Sequence, residues 1–284
     1  MTRVRYALEA FFLGALFLIF RLMPVDVASA VGGAIGRFVG PKMAVSRKAL
    51  RHLQQCLTYM DDAHAEGVIA DMWDNLGRVV AEYPHLRYIV ANRMTVNGAE
   101  HIDAVLASPD KGGVFFSAHF ANWELPPIYL HVVKGMDIHS MYRAPNNPFV
   151  DQMIHYCRTL RGAIPAWNKS RAGGQGAMKA LRAGGSLAIL IDQKYNEGIN
   201  VPFFGMDAMT NPFFVKMAKK FGLPLIPASM VRTKGAHFIL NVHPPIPVEG
   251  REEDEIIKDA HAMIEEAITQ TPSQWIWMHR RWRS

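Results

Sequence analysis

Residues 114–125 read VFFSAHFANWEL, an apolar run that ends in small residues and is followed by a histidine and an acid. Val114 to Phe116 have the pattern of a fully buried strand, and a turn of small residues follows it. His119 comes directly after this turn, and Glu124 lies five positions further on. In open α/β sheets, ligands bind beyond the carboxyl ends of the strands. The stretch therefore predicts a central strand that delivers a functional histidine to the edge of a sheet.

Short apolar runs and helical segments alternate over the rest of the chain. Strand-like runs begin near residues 112, 137, 186, 224 and 237. Apolar residues recur at helical spacing over about 60–95, and again over 121–133, 148–161, 173–183, 211–221 and 252–270. This order predicts an α/β domain in which helices cross between the strands of one sheet.

Length and composition are those of a large globular protein. The chain has 284 residues, half of them hydrophobic and a fifth charged, with a mean hydropathy of +0.02. These values exclude a disordered chain and a polytopic membrane protein. We expect one α/β domain over residues 61–284 behind an N-terminal segment, residues 1–60. Two widely separated cysteines, Cys56 and Cys157, argue against a disulfide framework and a structural zinc site, and they indicate a reduced, cytosol-facing protein.

The excess of positive charge lies in the N-terminal segment. The whole chain has a formal net charge of +6, and its first 60 residues hold eight lysines or arginines against two acids. The remaining residues are therefore electrically balanced. A balanced body argues against nucleic acid as a partner, and a basic segment beside an apolar run favours an anionic membrane surface on the cytoplasmic side.

Residues 10–20, AFFLGALFLIF, form an uninterrupted apolar run that Glu9 and Arg21 close at either end. The run is shorter than the roughly 20 residues that span a bilayer. An extension over 4–23 reaches a spanning length, whereas a helix in the membrane interface tolerates the flanking charges. The alternatives are a signal peptide cleaved after the ASA sequence at 28–30, and a buried core helix. We expect a membrane-attached N-terminus, with spanning and interfacial attachment both open.

His119 and Glu124 have the residue types of a general base and its partner. Spacing alone does not decide this, because His261 and Glu266 repeat it within an acidic amphipathic helix. A carboxylate on the far nitrogen of a histidine holds one tautomer and suits the ring to take a proton from a hydroxyl. No GxSxG motif occurs, and Ser117 is poorly placed to attack. The simplest scheme is direct attack of an activated hydroxyl on an acyl thioester.

Two further segments follow predicted strands with polar residues. MYRAPNNPF, residues 141–149, places Arg143 before a Pro-Asn-Asn-Pro turn, a combination suited to phosphate or sugar oxygens, although an ordinary surface turn has the same composition. LAILIDQK, residues 187–194, ends a strictly apolar strand in Asp192 and Gln193. These two side chains are expected near the ligand crevice, unless the aspartate only caps a helix.

Aromatic residues are concentrated in three later segments. VPFFG at 201–205 and TNPFF at 210–214 suit an acyl groove, a lipid contact or ordinary core packing. The ending QWIWMHRRWRS, residues 274–284, interleaves three tryptophans with Arg280, Arg281 and Arg283. Its composition fits an interfacial belt or contacts with phosphate.

Together these segments resemble the late acyltransferases of lipid A biosynthesis, the lauroyl/myristoyl acyltransferase family of the lysophospholipid acyltransferase superfamily. The likeness covers nearly the whole chain, and the blocks that carry it are HFANWE, YRAPNNP, IDQK, VPFFG, GLPLIP and QWIWMHRRW. The resemblance implies a glycerolipid acyltransferase-like fold, with a central mixed sheet flanked by helices. It also implies an N-terminal anchor in the bacterial inner membrane, with the catalytic domain on the cytoplasmic side.

The same resemblance implies roles for individual residues. His119 would be the general base and Glu124 its dyad partner, and the implied substrate-binding residues are Asn122, Arg143, Asn147, Asp192 and Gln193. The donor would be an acyl carrier protein thioester and the acceptor a hydroxyl of a lipid A precursor, with no metal or dissociable cofactor. An acceptor that is another glycolipid or aminolipid, a thioesterase that uses the same dyad on water, and a non-catalytic lipid-binding protein are the alternatives.

Overall fold

The computed structural model describes residues 2–108 and 112–282. The α-helices of this part of the chain are α1 (Thr2–Leu22), α2 (Val25–Val39), α3 (Ala44–Cys56), α4 (Asp62–Glu82), α5 (Leu86–Asn92), α6 (Ala99–Ala107), α7 (Leu125–Val132), α8 (Pro148–Arg158), α9 (Arg171–Arg182), α10 (Phe213–Phe221) and α11 (Glu253–Gln270). Its strands are β1 (Met94–Asn97), β2 (Val114–Ser117), β3 (Ile138–Tyr142), β4 (Ala166–Asn168), β5 (Ser186–Leu190), β6 (Ile199–Phe203), β7 (Met206–Thr210), β8 (Leu225–Lys234) and β9 (His237–Val242).

A seven-stranded mixed sheet, with strand order β1-β9-β8-β2-β5-β3-β4, lies at the centre of the fold. β2 is parallel to both of its neighbours, β5 and β8, whereas β8 and β9 pair antiparallel. Parallel strands require crossover connections, and α7, α8, α9 and α10 lie in these crossovers. The α/β fold with a mixed sheet flanked by helices is confirmed. Because β2 is central, the carboxyl ends of three parallel strands, β3, β5 and β2, meet at one edge beside His119.

The structure contains elements that the apolar pattern did not predict. β1 and β4 are short edge strands without a continuous buried face, so their apolar signal is weak. β6 and β7 form a separate antiparallel hairpin that contains the VPFFG segment. Val201 and Phe203 of this hairpin are buried in the core, as is Phe214 of TNPFF. Ordinary core packing is therefore the correct interpretation of both aromatic segments.

The C-terminal block is also part of the core. Trp275, Trp277 and Trp282 are all buried, and the buried Arg281 donates hydrogen bonds to the Met209 carbonyl at 2.8 Å and to the Thr210 hydroxyl at 2.6 Å. The prediction of an interfacial belt is therefore wrong, because these side chains tie the chain end to the β6–β7 hairpin. Arg280 is exposed, and Arg283 lies outside the described residues.

The N-terminal segment, residues 1–60, packs against the rest of the protein mainly through the contact of its helix α2 with α4. Gly36 of α2 lies so close to α4 that a Cβ there would clash with the Trp73 carbonyl oxygen, so glycine permits the close approach of the two helices. Ser29 of α2 donates a 2.7 Å hydrogen bond to the buried carboxylate of Glu82 on α4. The division of the chain at residue 60 stays a prediction.

α1 is neither fully buried nor fully exposed. Phe17 and Phe20 are buried, so one face of the helix contacts the body. The other face exposes large apolar side chains, among them Leu8, Phe11, Phe12, Leu18, Ile19 and Leu22. The alternative of a buried core helix is therefore wrong for α1. None of the helices in the described residues combines the length and hydrophobicity that crossing a membrane requires.

Candidate active site

A cavity of about 130 Å³ opens beside the central sheet. Phe115, Ala188 and Ser140 line it and are register partners across β2, β5 and β3, so they share one face of the sheet. Pro127 and Leu130 of α7 line it as well. The polar and charged side chains that line the cavity include Ser117, His119, Glu124, Ser140, Tyr142, Arg143, Arg158, Lys169 and Gln193. An apolar interior with a few convergent polar groups is typical of a ligand site.

His119 is held by Asp192, which lies two residues after the end of β5. The Nδ1 atom of His119 lies 2.8 Å from Asp192 Oδ1, and the backbone N–H of His119 donates to Oδ2 at 3.0 Å. The indole N–H of Trp275 donates to the same Oδ2 at 2.8 Å. Although burial opposes ionisation of this carboxyl, the facing His119 lowers the pKa of Asp192 well below its ordinary value.

An ionised carboxylate only accepts hydrogen bonds, so Nδ1 of His119 carries the proton. The other ring nitrogen, Nε2, is then the free acceptor, and Gln193 Nε2 lies 3.5 Å from it. Gln193 lines the cavity, and Asp192 lies behind it in contact with His119. The sequence does not reveal that the aspartate, rather than Glu124, is the hydrogen-bonded partner of the histidine.

Glu124 has different partners. Its buried carboxylate accepts hydrogen bonds from the Tyr83 hydroxyl at 2.8 Å, from the Trp123 indole at 3.1 Å and from Arg158 Nε at 2.6 Å. Burial alone would raise the pKa of Glu124, but the Arg158 guanidinium lowers it overall. The expected pairing of Glu124 with His119 is therefore wrong. Glu124 stands at the start of α7, where its side chain meets Arg158 at the end of α8, yet it still lines the same cavity.

The loop between His119 and Glu124 has an unusual backbone. Ala121 has a φ of 44°, in the left-handed region that a residue with a Cβ rarely adopts. Its N–H donates to the Gln274 carbonyl at 2.8 Å, and its own carbonyl accepts from the Asn75 side chain at 3.1 Å. The conformation is thus fixed from two sides. Strained backbone of this kind is concentrated at functional sites.

Asn122 and Asn147 do not reach the cavity. Asn122 is fully buried and donates to Glu82 at 2.8 Å, within a buried network that includes the ion pair of Glu82 with Arg232. Asn147 caps α8 by accepting from the Phe149 N–H at 3.0 Å, and its amide nitrogen donates to α1. Both amides are used to hold the fold, and a role of either residue in binding substrate stays a prediction.

Arg143 lies where the sequence suggested, since it lines the cavity and is exposed to solvent. Two further cationic residues in the lining were not predicted. Arg158 pairs with Glu124, and Lys169 follows β4 and donates to the Leu190 carbonyl at 3.4 Å. Burial lowers the pKa of Lys169, Asp192 opposes this effect, and Arg143 adds to it. These basic side chains suit an anionic or phosphorylated ligand.

Residues of the C-terminal block complete the surroundings of His119. Trp275 holds Asp192, and the His279 ring lies 4.8 Å from the His119 ring, centroid to centroid. Trp123 packs edge-on to the same ring at 5.2 Å. The signal in the sequence was the block QWIWMHRRW, which carried part of the family resemblance but gave no spacing to His119. Tertiary folding alone brings these side chains to the site.

The family model for bacterial lipid A biosynthesis acyltransferases matches residues 1–284. The chain belongs to this family. Two relatives are each 26% identical over 298 residues, covering 99% of this chain and 92% of the relative: a lipid A biosynthesis palmitoleoyltransferase of Escherichia coli (strain K12) and a lipid A biosynthesis acyltransferase of Shigella flexneri. The crystal structure of a 1-acyl-sn-glycerophosphate acyltransferase from Thermotoga maritima aligns with 95% of this chain and 99% of its own, at 14% identity and a TM-score of 0.42.

Family membership makes the protein an acyltransferase and confirms the resemblance found in the sequence blocks. The match over the full length also agrees with the ordered set of motifs, which runs from HFANWE to the C-terminal QWIWMHRRW.

Proposed function

We propose that this acyltransferase moves a fatty acyl chain from an acyl carrier protein thioester to a hydroxyl of a lipid A precursor, with His119 as general base. The observation that carries the proposal is the fixed orientation of His119 at the cavity. Asp192 holds Nδ1 at 2.8 Å, so Nε2 is left to take a proton from an acceptor hydroxyl. No enzyme nucleophile is required in this scheme.

The reaction proceeds in two proton transfers around one carbonyl carbon. His119 Nε2 takes the proton of the acceptor hydroxyl as the oxygen attacks the thioester carbonyl. The C–S bond then breaks, and the proton passes from Nε2 to the sulfur that leaves as a thiol. Asp192 stays ionised throughout and stabilises the imidazolium that forms between these steps. The products are an ester and a free carrier thiol.

The cavity lining accommodates the two substrates in different ways. Its apolar residues, such as Phe115 and Leu130, suit the acyl chain, whereas Arg143 and Lys169 suit phosphate groups of a lipid A precursor or of the carrier's prosthetic group. Gln193, beside His119 Nε2, is placed to donate to an oxygen of either substrate. Glu124 acts through its hydrogen bond to Trp123 and its pair with Arg158, which shape the cavity wall.

We further propose that the enzyme is attached to the cytoplasmic face of the bacterial inner membrane through α1 and α2. Phe11 and Phe12 on α1 are 69% and 66% exposed, and Phe38 on α2 is 69% exposed. Lys42 lies beside Phe38, its ammonium 3.3 Å from the ring centroid, so basic and apolar groups share this surface. Apolar side chains beside basic residues are typical of helices that lie in an anionic membrane interface.

Acyl transfer is tested by incubating purified enzyme with acyl carrier protein thioester, with and without a lipid A precursor, and by mass spectrometry of the lipid. Transfer is expected only with the precursor, and His119→Ala is expected to lower the rate by about 10² to 10⁴ or more. His64→Ala, at an exposed position on α4, is the matched control and retains full activity. Acceptor-independent release of fatty acid would favour a thioesterase, and normal transfer by His119→Ala would refute the role of the histidine.

A further inference from the structure

His279 contacts the proposed general base from a distant part of the chain. It lies in the C-terminal block, and its ring is tilted 57° to that of His119 with the centroids 4.8 Å apart. Trp123 contacts the His119 ring at 5.2 Å, so two aromatic side chains restrict the base. Trp275, four positions before His279, fixes Asp192 by its indole N–H. The C-terminal block therefore contacts both members of the pair of His119 with Asp192.

The imidazole of His279 is not used by the fold as a hydrogen-bonding group. Its Nε2 atom is buried and has no hydrogen-bond partner among the described residues. A buried polar atom without a partner lowers stability, and an apolar ring of the same shape would avoid that cost. A histidine whose role is only to fill space would be an unfavourable choice at this position. An imidazole at this position instead has a use during the reaction, when His119 becomes positively charged.

The surroundings of His279 keep its ring neutral at neutral pH. Burial lowers the pKa of His279 to about 4, and the neighbouring His119, Lys48 and Lys169 lower it as well, whereas Asp192 acts in the opposite direction. A neutral imidazole adds no repelling charge beside the base. It also keeps one nitrogen with a lone pair, which interacts favourably with a nearby cation.

We propose that His279 is a positioning residue of the acyl transfer reaction, a neutral imidazole that stabilises the His119 imidazolium in place of water. This inference rests on the proposed function of His119. In the transfer, the hydroxyl proton moves to His119 Nε2 and from there to the departing sulfur, while His279 neither gains nor loses a proton. His279 acts only while His119 is charged, so its loss is expected to lower kcat and to leave substrate binding unchanged.

The test compares His279→Phe and His279→Gln with the wild-type enzyme in kcat, in KM for each substrate and in thermal midpoint. The phenylalanine variant is expected to lose about 10- to 100-fold in kcat, the range for an interaction with a charged group, with both KM values within about twofold. Its thermal midpoint is expected to be unchanged or higher, because the unpaired nitrogen is gone. The glutamine variant carries a polar atom near the position of Nε2 and is expected to recover most of kcat.

A matched control is His52→Phe. His52 also contacts the C-terminal block, donating from Nδ1 to the Trp277 carbonyl at 3.0 Å and packing edge-on to Trp282 at 5.2 Å. Unlike His279, it packs against Trp282 rather than against His119, so this variant is expected to keep kcat and to have a lower thermal midpoint.

Two results would overturn the role of His279. One is a kcat within twofold of wild type in His279→Phe. The other is equal loss of activity in the Phe and Gln variants together with lowered thermal midpoints in both, which would make His279 a packing residue. His119→Ala, measured in parallel, separates the two proposals. If it is active, the proposed function fails, and if it is inactive while His279→Phe is normal, only the role of His279 fails.

Discussion

Asp192 receives both the ring Nδ1–H and the backbone N–H of His119, at 2.8 and 3.0 Å, across 73 residues of sequence. The two residues follow neighbouring parallel strands, so the register of β2 with β5 sets the distance between them. The pair is therefore a product of the sheet, whereas the spacing of His119 and Glu124 along the chain is a local feature. A short local motif marks the site without identifying the hydrogen-bonded partner of the base.

Asp192→Asn is expected to reduce acyl transfer far more than it reduces stability. The amide can donate to His119 Nδ1, which favours the tautomer with the proton on Nε2 and removes the acceptor that the reaction needs. The expected loss in kcat is about 10³- to 10⁴-fold. Steady-state kinetics on acyl carrier protein thioester and far-ultraviolet circular dichroism of the same preparation check it. A loss below tenfold would contradict the assigned role of the aspartate.

Glu124 and Arg158 form a buried ion pair, so loss of one partner leaves the other charge unpaired. Arg158→Met is expected to lower the free energy of unfolding by about 3 to 5 kcal/mol. Activity falls with it, because the Trp123 side of the cavity loses its support. Urea unfolding followed by tryptophan fluorescence measures the change.

The matched control for this prediction is Arg161→Met, just after α8, where the arginine is exposed and forms no salt bridge with any of the described residues. Its effect is expected to be within about 0.5 kcal/mol. A double variant, Glu124→Gln with Arg158→Met, is expected to recover part of the stability. If neither Glu124→Gln nor Arg158→Met alone lowers the free energy of unfolding, the ion pair does not stabilise the cavity wall.

His261 predicts how stability depends on pH. Burial first and the nearby Arg281 second lower the pKa of His261 to about 3, from an ordinary value of 6.5. Its Nε2 faces the Arg281 guanidinium at 2.9 Å and its Nδ1 faces the Pro202 carbonyl at 2.8 Å, an arrangement that requires the neutral ring. Between pH 6.5 and 3 the unfolded chain therefore binds a proton that the folded chain does not.

The sign follows from this difference in bound protons. The contribution of His261 to the free energy of unfolding is fully present above pH 6.5, and it is lost progressively as the pH falls from 6.5 toward 3. The slope of the unfolding free energy against pH, measured by urea titration from pH 7 to pH 4, is expected to be smaller in His261→Gln than in wild type. Equal slopes in the two proteins would show that His261 does not contribute.

The sequence predicts the parts of the fold that have strong apolar periodicity. β2, β3, β5, β8 and β9 lie where apolar runs were found, and the long helices follow their patterns. The edge strands β1 and β4 and the β6–β7 hairpin were missed, because half-exposed or proline-containing strands have no continuous apolar signal.

The site divides in the same way. His119, Asp192, Gln193 and Arg143 follow strands, so the rule for strand ends finds them. Asn122 and Asn147 belong to the same motifs but turn into the fold, where Asn122 donates to the buried Glu82 and Asn147 donates to the backbone of α1. Trp275 and His279 could not be found by any spacing rule, because the path of the C-terminal block over the sheet is set by the packing of Trp282 and Arg281 against β6 and β7.

Attachment to a membrane through α1 predicts the behaviour of a charged variant. Replacing Phe11 and Phe12 by glutamate is expected to weaken binding to vesicles of anionic phospholipid by at least about tenfold, because two exposed phenylalanines no longer enter the acyl region and the added charges repel the surface. Co-sedimentation with vesicles at low and high salt measures it, and the basic residues predict weaker binding at high salt.

Val133→Glu, at a half-exposed apolar position after α7, is the control and is expected to bind as wild type does. Because neither phenylalanine lines the cavity, the double variant keeps its activity on acceptor dispersed in detergent. Unchanged vesicle binding by the double variant would place the membrane contact elsewhere on the protein.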